Sequence, residues 1–90
     1  MKTIQNVMDI KIEDLEFPVR CSNCMKNMGI KTLSELTSHS KAQFEKVRNM
    51  GKKSLDFIDE KLASLELTYS MDDRAWLSWG LKHIELIKSL

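Results

Sequence analysis

The chain is poor in the features that mark specialised proteins. Among its 90 residues are two cysteines, one proline and three glycines. A small secreted domain more often carries four or more cysteines as staples, so two point to a reducing compartment. No apolar run approaches the roughly 20 residues that span a bilayer, and the opening MKTIQNVMDIKIEDLE lacks the apolar core of a secretory signal. The reading is therefore cytoplasmic, with no membrane partner. Sustained period-2 alternation is missing, which argues against a sheet. No P-loop or GxGxxG is present, so nothing marks a nucleotide-using enzyme. A net charge of only +1 gives no sign of an acidic or basic partner.

What is present is an ordinary globular composition, 42% hydrophobic and 30% charged, of a length that makes one domain. Six methionines suit an adaptable core. Capping signals and three- and four-residue apolar spacings predict an all-α fold, a compact bundle of four short helices plus an additional C-terminal helix. Pro18 suits a first helical position, followed by Cys21, Cys24, Met25 and Met28 on one side until Gly29 stops the helix. Thr32 to Glu35 and Ser40 to Gln43 have the form of capping boxes, opening short helices that bury Leu33, Leu36, Phe44 and Val47. A helix from near Gly51 carries the stripe Leu55, Ile58, Leu62 and Leu65. Ser70 with Asp73 caps a last segment, apolar nearly all round from Trp76 to Leu90, which should bury most of its surface. Residues 1–10 show little pattern and read as a lead-in, 11–69 as the main module, and 70–90 as a helix that caps the core or makes an oligomer interface.

Near-neutral total charge conceals an asymmetry. Residues 11–16 carry Glu13, Asp14 and Glu16 against one lysine, whereas Arg20, Lys26 and Lys31 lie in an acid-free stretch. A second acid-free stretch holds Lys46, Arg48, Lys52 and Lys53. Brought together, the two basic segments would form a positive patch. Gly51, Lys52, Lys53 and Ser54 open a helix, whose free N–H groups and positive dipole end suit a phosphate. Arg20, Asn23 and Asn27 share the face opposite the Cys and Met stripe, where they can reach into a groove.

The remaining reactive residues read as structural. Cys21 and Cys24 form a CxxC with no second ligand pair, because His39 and His83 are far apart and no other cysteine exists. A redox role would need a thioredoxin-like strand and helix. No metal, cofactor or catalytic residue is expected, and an enzyme is disfavoured.

DLEFPVRCSNCMKNMGIKTLSEL followed by NMGKKSLDFIDEKLASLEL resembles the C-terminal domain of the bacterial RNA polymerase alpha subunit, from about Lys11 to Leu67. The resemblance implies a helix-hairpin-helix-like, non-catalytic transcription module that binds A/T-rich DNA across the minor groove. It implies Arg20 as the minor-groove arginine with Asn23 and Cys24 beside it, and Gly51, Lys53 and Ser54 as phosphate contacts, which Arg48 and Lys52 would supplement. Asp14 and Glu16 fall where the family touches the promoter-recognition sigma subunit. Phe57 departs from the family, which usually has an acidic residue there, and Lys41 to Gln43 departs from an acidic surface that meets activators. A complete alpha subunit is several times longer, so the chain reads as an excised domain or a free-standing relative. Two alternatives stay open: a generic helix-hairpin-helix domain without the minor-groove arginine, and an adaptor that meets polymerase, sigma or a second copy of the chain without binding DNA.

Overall fold

Side-chain caps open several of the helices, and left-handed stops close two of them. The structure is a computed structural model that describes residues 3–48 and 50–89. Asn49 of the basic stretch and Leu90 of the C-terminal segment lie outside the described residues. Helix α1 spans Ile4–Met8, where the Asn6 amide oxygen accepts the Thr3 N–H at 2.7 Å. The sequence shows little pattern here, yet Val7 is buried and α1 packs on the third and sixth helices. Five residues are too few to display a helical period, so tertiary contact supplies what periodicity cannot.

After α1 the chain runs antiparallel to residues 30–33, with Ile12 N–H bonded to Lys31 O at 3.0 Å and Leu33 N–H to Ile10 O at 2.8 Å. A 3₁₀ turn, Ile12–Leu15, leads to α2, Val19–Asn27. Pro18 sits one position earlier than expected, just outside α2, and its carbonyl accepts the Ser22 N–H at 2.9 Å. Gly29, at φ 80°, ends α2 as expected. Ile30 N–H reaches Met25 O and Gly29 N–H reaches Lys26 O, the paired bonds of a Schellman stop.

Helix α3, Leu33–Ser38, starts from Thr32, whose hydroxyl accepts the Glu35 N–H at 3.3 Å. The Glu35 carboxylate bonds the N–H of Lys31 rather than that of Thr32, so this box closes one residue early. Helix α4, Lys41–Glu45, has the full reciprocal box between Ser40 and Gln43. Helix α5, Lys52–Ser64, is the longest at 13 residues. It ends in a second Schellman stop, with Glu66 at φ 56° where a glycine is usual.

The expected single C-terminal helix is two, α6 at Asp73–Lys82 and α7 at Ile84–Ser89, separated at His83. Its cap is Asp72, whose carboxylate accepts the Ala75 N–H at 2.9 Å, rather than Ser70. Nor does this segment bury most of its surface. Trp76, Trp79 and Ile87 turn inward, whereas Leu77, Leu81, Ile84 and Leu86 are exposed, because α6 and α7 cover one side of the core and have nothing on their own outer side.

The core they cover is continuous. Cys21, Met25, Leu33, Leu36, Phe44 and Ile58 are fully buried and join residues from α1 to α7. Among the described residues no helix is long and apolar enough to cross a membrane.

Candidate nucleic-acid interface

Helix α2 has two sides, and the spacing of its residues assigns them. Cys21, Cys24 and Met25 face the core, so Arg20, Asn23 and Asn27 must face outward, and all three are exposed. The Cys21 thiol donates to the backbone carbonyl of Ser54 at 3.7 Å, which ties the buried side of α2 to the first turn of α5. Burial, with Cys24 close by, pushes the Cys21 thiol up to about 11. It therefore remains a neutral thiol that donates this bond at physiological pH.

Before α5 the backbone turns sharply, with Val47 N–H bonded to Phe44 O and Met50 N–H to Val47 O, both at 3.1 Å. Buried Met50 pins the turn to the core. Arg48 and Gly51 consequently stand against α2, although about thirty positions separate them from it in sequence. From α2, Val19, Arg20, Asn23, Cys24 and Asn27 line an open concavity of about 780 Å³, and Arg48 and Gly51 complete it from the turn. The lining contains two arginines and no carboxylate.

The polar side chains of this concavity are uncommitted. Arg20, Asn23, Asn27 and Arg48 make no side-chain hydrogen bond or ion pair among the described residues. Elsewhere the protein uses its amides internally, as Asn6 and Gln43 do in caps. Lys52 and Lys53 are exposed on the first turn of α5, directly after Gly51. No side chain caps that turn, so its leading N–H groups keep their capacity to meet an anion. Gly51 itself has an ordinary φ of −73°, and a Cβ built there meets nothing within 4 Å. The fold does not require glycine at this position.

Two sequence-derived candidates sit differently from the rest. Ser54 is only 6% exposed, because its place four residues before Ile58 turns it inward with Ile58 and Leu62. Cys24 lines the concavity but is 5% exposed, so it contributes little surface. Asp14 and Glu16 are exposed on and just after the 3₁₀ turn, and neither lines the arginine concavity. Glu16 lines a separate concavity of about 340 Å³ with Phe17, Pro18, Phe57 and Glu60 among others. Phe57 is 46% exposed there rather than packed in the core. No group of three or more His, Cys, Asp or Glu residues that could hold a metal occurs among the described residues.

Two lining residues are not among the contacts that the family resemblance implies. Asn27 is signalled by its spacing, one turn beyond Asn23 on the same face. Val19 is not signalled, since an apolar residue at 76% exposure contradicts ordinary patterning.

Comparison with known proteins agrees with this architecture. A sequence-family description, the C-terminal domain of the bacterial RNA polymerase alpha chain, matches residues 1–64. The DNA-directed RNA polymerase subunit alpha of Leuconostoc mesenteroides subsp. mesenteroides is 50% identical over 62 residues, 69% of this chain and 20% of that protein. Its counterpart in Clostridium acetobutylicum is 42% identical over 69 residues, 77% of this chain and 22% of that protein. The chain thus spans about a fifth of the length of these curated relatives. The NMR structure of the C-terminal domain of the RNA polymerase alpha subunit from Helicobacter pylori superposes with a TM-score of 0.68 at 32% identity, covering 96% of this chain and 77% of that one. Fold, sequence and the arrangement of α2 against the start of α5 converge on one assignment: the protein belongs to the family of C-terminal domains of the bacterial RNA polymerase alpha chain.

Proposed function

We propose that the protein is a non-catalytic, cytoplasmic module of transcription that binds A/T-rich double-stranded DNA. Arg20 enters the minor groove, where narrow A/T tracts concentrate negative potential, and Asn23 meets sugar or base edges beside it. Arg48, Lys52, Lys53 and the leading N–H groups of α5 neutralise flanking phosphates. Cys24, being buried, serves through packing, Ser54 joins α5 to α2 through its carbonyl bond from Cys21, and the Ser54 contribution to phosphate is its backbone N–H. The observation that carries this reading is the acid-free concavity whose arginine and asparagine side chains have no partner among the described residues.

A few phosphate contacts give affinity on the order of micromolar, lost steeply as salt rises. Titration of A/T-rich and G/C-rich duplexes at two salt concentrations tests the reading. Wild type prefers the A/T duplex, and Arg20→Ala loses that preference with an unchanged fold. Equal binding of both proteins to both duplexes rejects the minor-groove mechanism.

The same reading gives the acidic surface at Asp14 and Glu16 to a protein contact, with the sigma subunit as occupant. Support comes from the exposure of both carboxylates, neither of which lines the arginine concavity. Charge reversal at Asp14 and Glu16 should abolish shifts induced by a sigma fragment and leave DNA titration unchanged. A homo-oligomer would use the exposed Leu77, Leu81 and Ile84, and sedimentation of a Leu81→Glu variant against wild type tests it.

A further inference from the structure

Asn27 has no part in the function proposed above, although its side chain reaches the same concavity. It ends α2, is exposed, and lines the same concavity as Arg20 and Asn23. Its amide makes no hydrogen bond among the described residues. Arg20, Asn23 and Asn27 follow one another at three- and four-residue steps, so they form a single row along α2. Seven residues at about 1.5 Å each extend that row over about 10 Å, which is roughly three base-pair steps of duplex.

We propose that Asn27 is a further DNA contact, extending the recognition row one helical turn beyond Asn23. The assignment rests on the DNA-binding reading above and adds to it the length of the contact. It also adds its chemistry. A/T pairs present only acceptors in the minor groove, and G/C pairs add one donor. An amide carries both donors and an acceptor, so it satisfies either pair or a sugar edge. Asn27 therefore adds affinity with little discrimination, whereas Arg20 carries the preference for A/T. Being neutral, Asn27 releases no counterion when it binds.

These properties separate the two residues by experiment. Wild type, Arg20→Ala, Asn27→Ala and Asn27→Asp are titrated with short A/T-centred and G/C-centred duplexes over a range of salt. Thermal unfolding of each protein serves as the control for the fold. Asn27→Ala raises Kd about three- to tenfold on both duplexes, as loss of a hydrogen bond does, and keeps the wild-type slope of log Kd against log salt. Asn27→Asp weakens binding more than Asn27→Ala, because its carboxylate meets phosphate and base acceptors. Arg20→Ala lowers the slope by about one unit. Asn27→Ala binding indistinguishable from wild type, or Asn27→Asp no weaker than Asn27→Ala, overturns the role of Asn27. If Arg20→Ala still loses its A/T preference, the function proposed above stands without it. Wild type that binds neither duplex overturns both.

Discussion

The imidazole of His83 stacks on the indole of Trp79, with centroids 4.5 Å apart and planes inclined by 15°. His83 Nδ1 lies 2.7 Å from the Trp79 carbonyl, and Nε2 faces the Glu66 carboxylate. Trp79 in turn donates its indole N–H to Leu65 O at 2.8 Å. These bonds tie the break between α6 and α7 to the turn that ends α5. With Nδ1–H given to the carbonyl, neutral His83 presents a lone pair to Glu66, whereas the imidazolium donates at both nitrogens. The Trp79 carbonyl first, then Glu66, raise the His83 pKa above 6.5, against desolvation and, more weakly, Lys82.

The sign of the pH dependence follows. A raised folded pKa gives stabilisation fully present below about pH 6.5 and lost as pH rises through the folded value. Amide exchange in α6 and α7, corrected for intrinsic rates, should be slower below that window than above it. His83→Ala should remove the difference. Glu66 is 73% exposed on its side chain, so added salt should weaken the effect. Equal corrected protection on both sides of the window rejects this account.

Gly80 and Ile4 make a second tie, between the two ends of the molecule. A Cβ on buried Gly80 would collide with the Cδ1 and Cγ1 atoms of Ile4. Overpacking of this kind costs about 1–3 kcal/mol, whereas alanine is about 1 kcal/mol better than glycine inside a helix. Gly80→Ala should destabilise the wild-type background and stabilise an Ile4→Ala background. Denaturant unfolding of the four proteins in this cycle reads the reversal. The same sign in both backgrounds would show that α1 does not press on α6 there.

Asp59 links three elements, accepting from Tyr69 Oη at 2.5 Å and from Lys41 Nζ at 3.0 Å. Partial burial raises its pKa, but the Tyr69 hydroxyl and the Lys41 ammonium together outweigh that and hold it below 3.8. Stability from this group is present above the unfolded pKa and lost as pH falls through the folded one. Asp59→Ala, which removes the acceptor, should cost about 1 kcal/mol through loss of the Tyr69 bond and flatten the acid side of the stability profile. Urea midpoints at neutral and acid pH give the comparison, and an unchanged midpoint at neutral pH would remove Tyr69–Asp59 from the stabilising contacts.

Legibility in the sequence tracks how locally each feature is determined. The row Arg20, Asn23 and Asn27 and the start of α5 at Gly51 follow from spacing and capping, which operate within a few residues. The inward turn of Ser54 is available from the same arithmetic, since residues 54, 58 and 62 share a face, but a hydroxyl beside two lysines reads as surface. The break at His83 is not available. Apolar spacing runs through it without interruption, and the groups that hold it are Trp79 O and Glu66 from another element. Helix α1 is hidden for a similar reason, because contact with α3 and α6 stabilises it rather than its own period. The lining of one concavity by two segments about thirty residues apart is likewise a tertiary fact, which only the resemblance to a family anticipates.

Gly51 offers the sharpest separation of folding from function. Its φ of −73° is open to any residue, and space surrounds the position a Cβ would occupy. Serine there is a good N-cap, comparable to or a few tenths of a kcal/mol better than glycine. Its hydroxyl would accept from the N–H groups of Lys53 or Ser54, the groups proposed to meet phosphate. Gly51→Ser should therefore leave the thermal midpoint equal or slightly raised while weakening duplex binding about threefold or more, as when a hydrogen-bonding group is taken from its ligand. A variant that is more stable and binds worse would place the demand for glycine outside the fold, in the approach of a phosphate backbone to the start of α5. Binding equal to wild type would instead move the phosphate contact away from Gly51, onto Arg48, Lys52 and Lys53 alone.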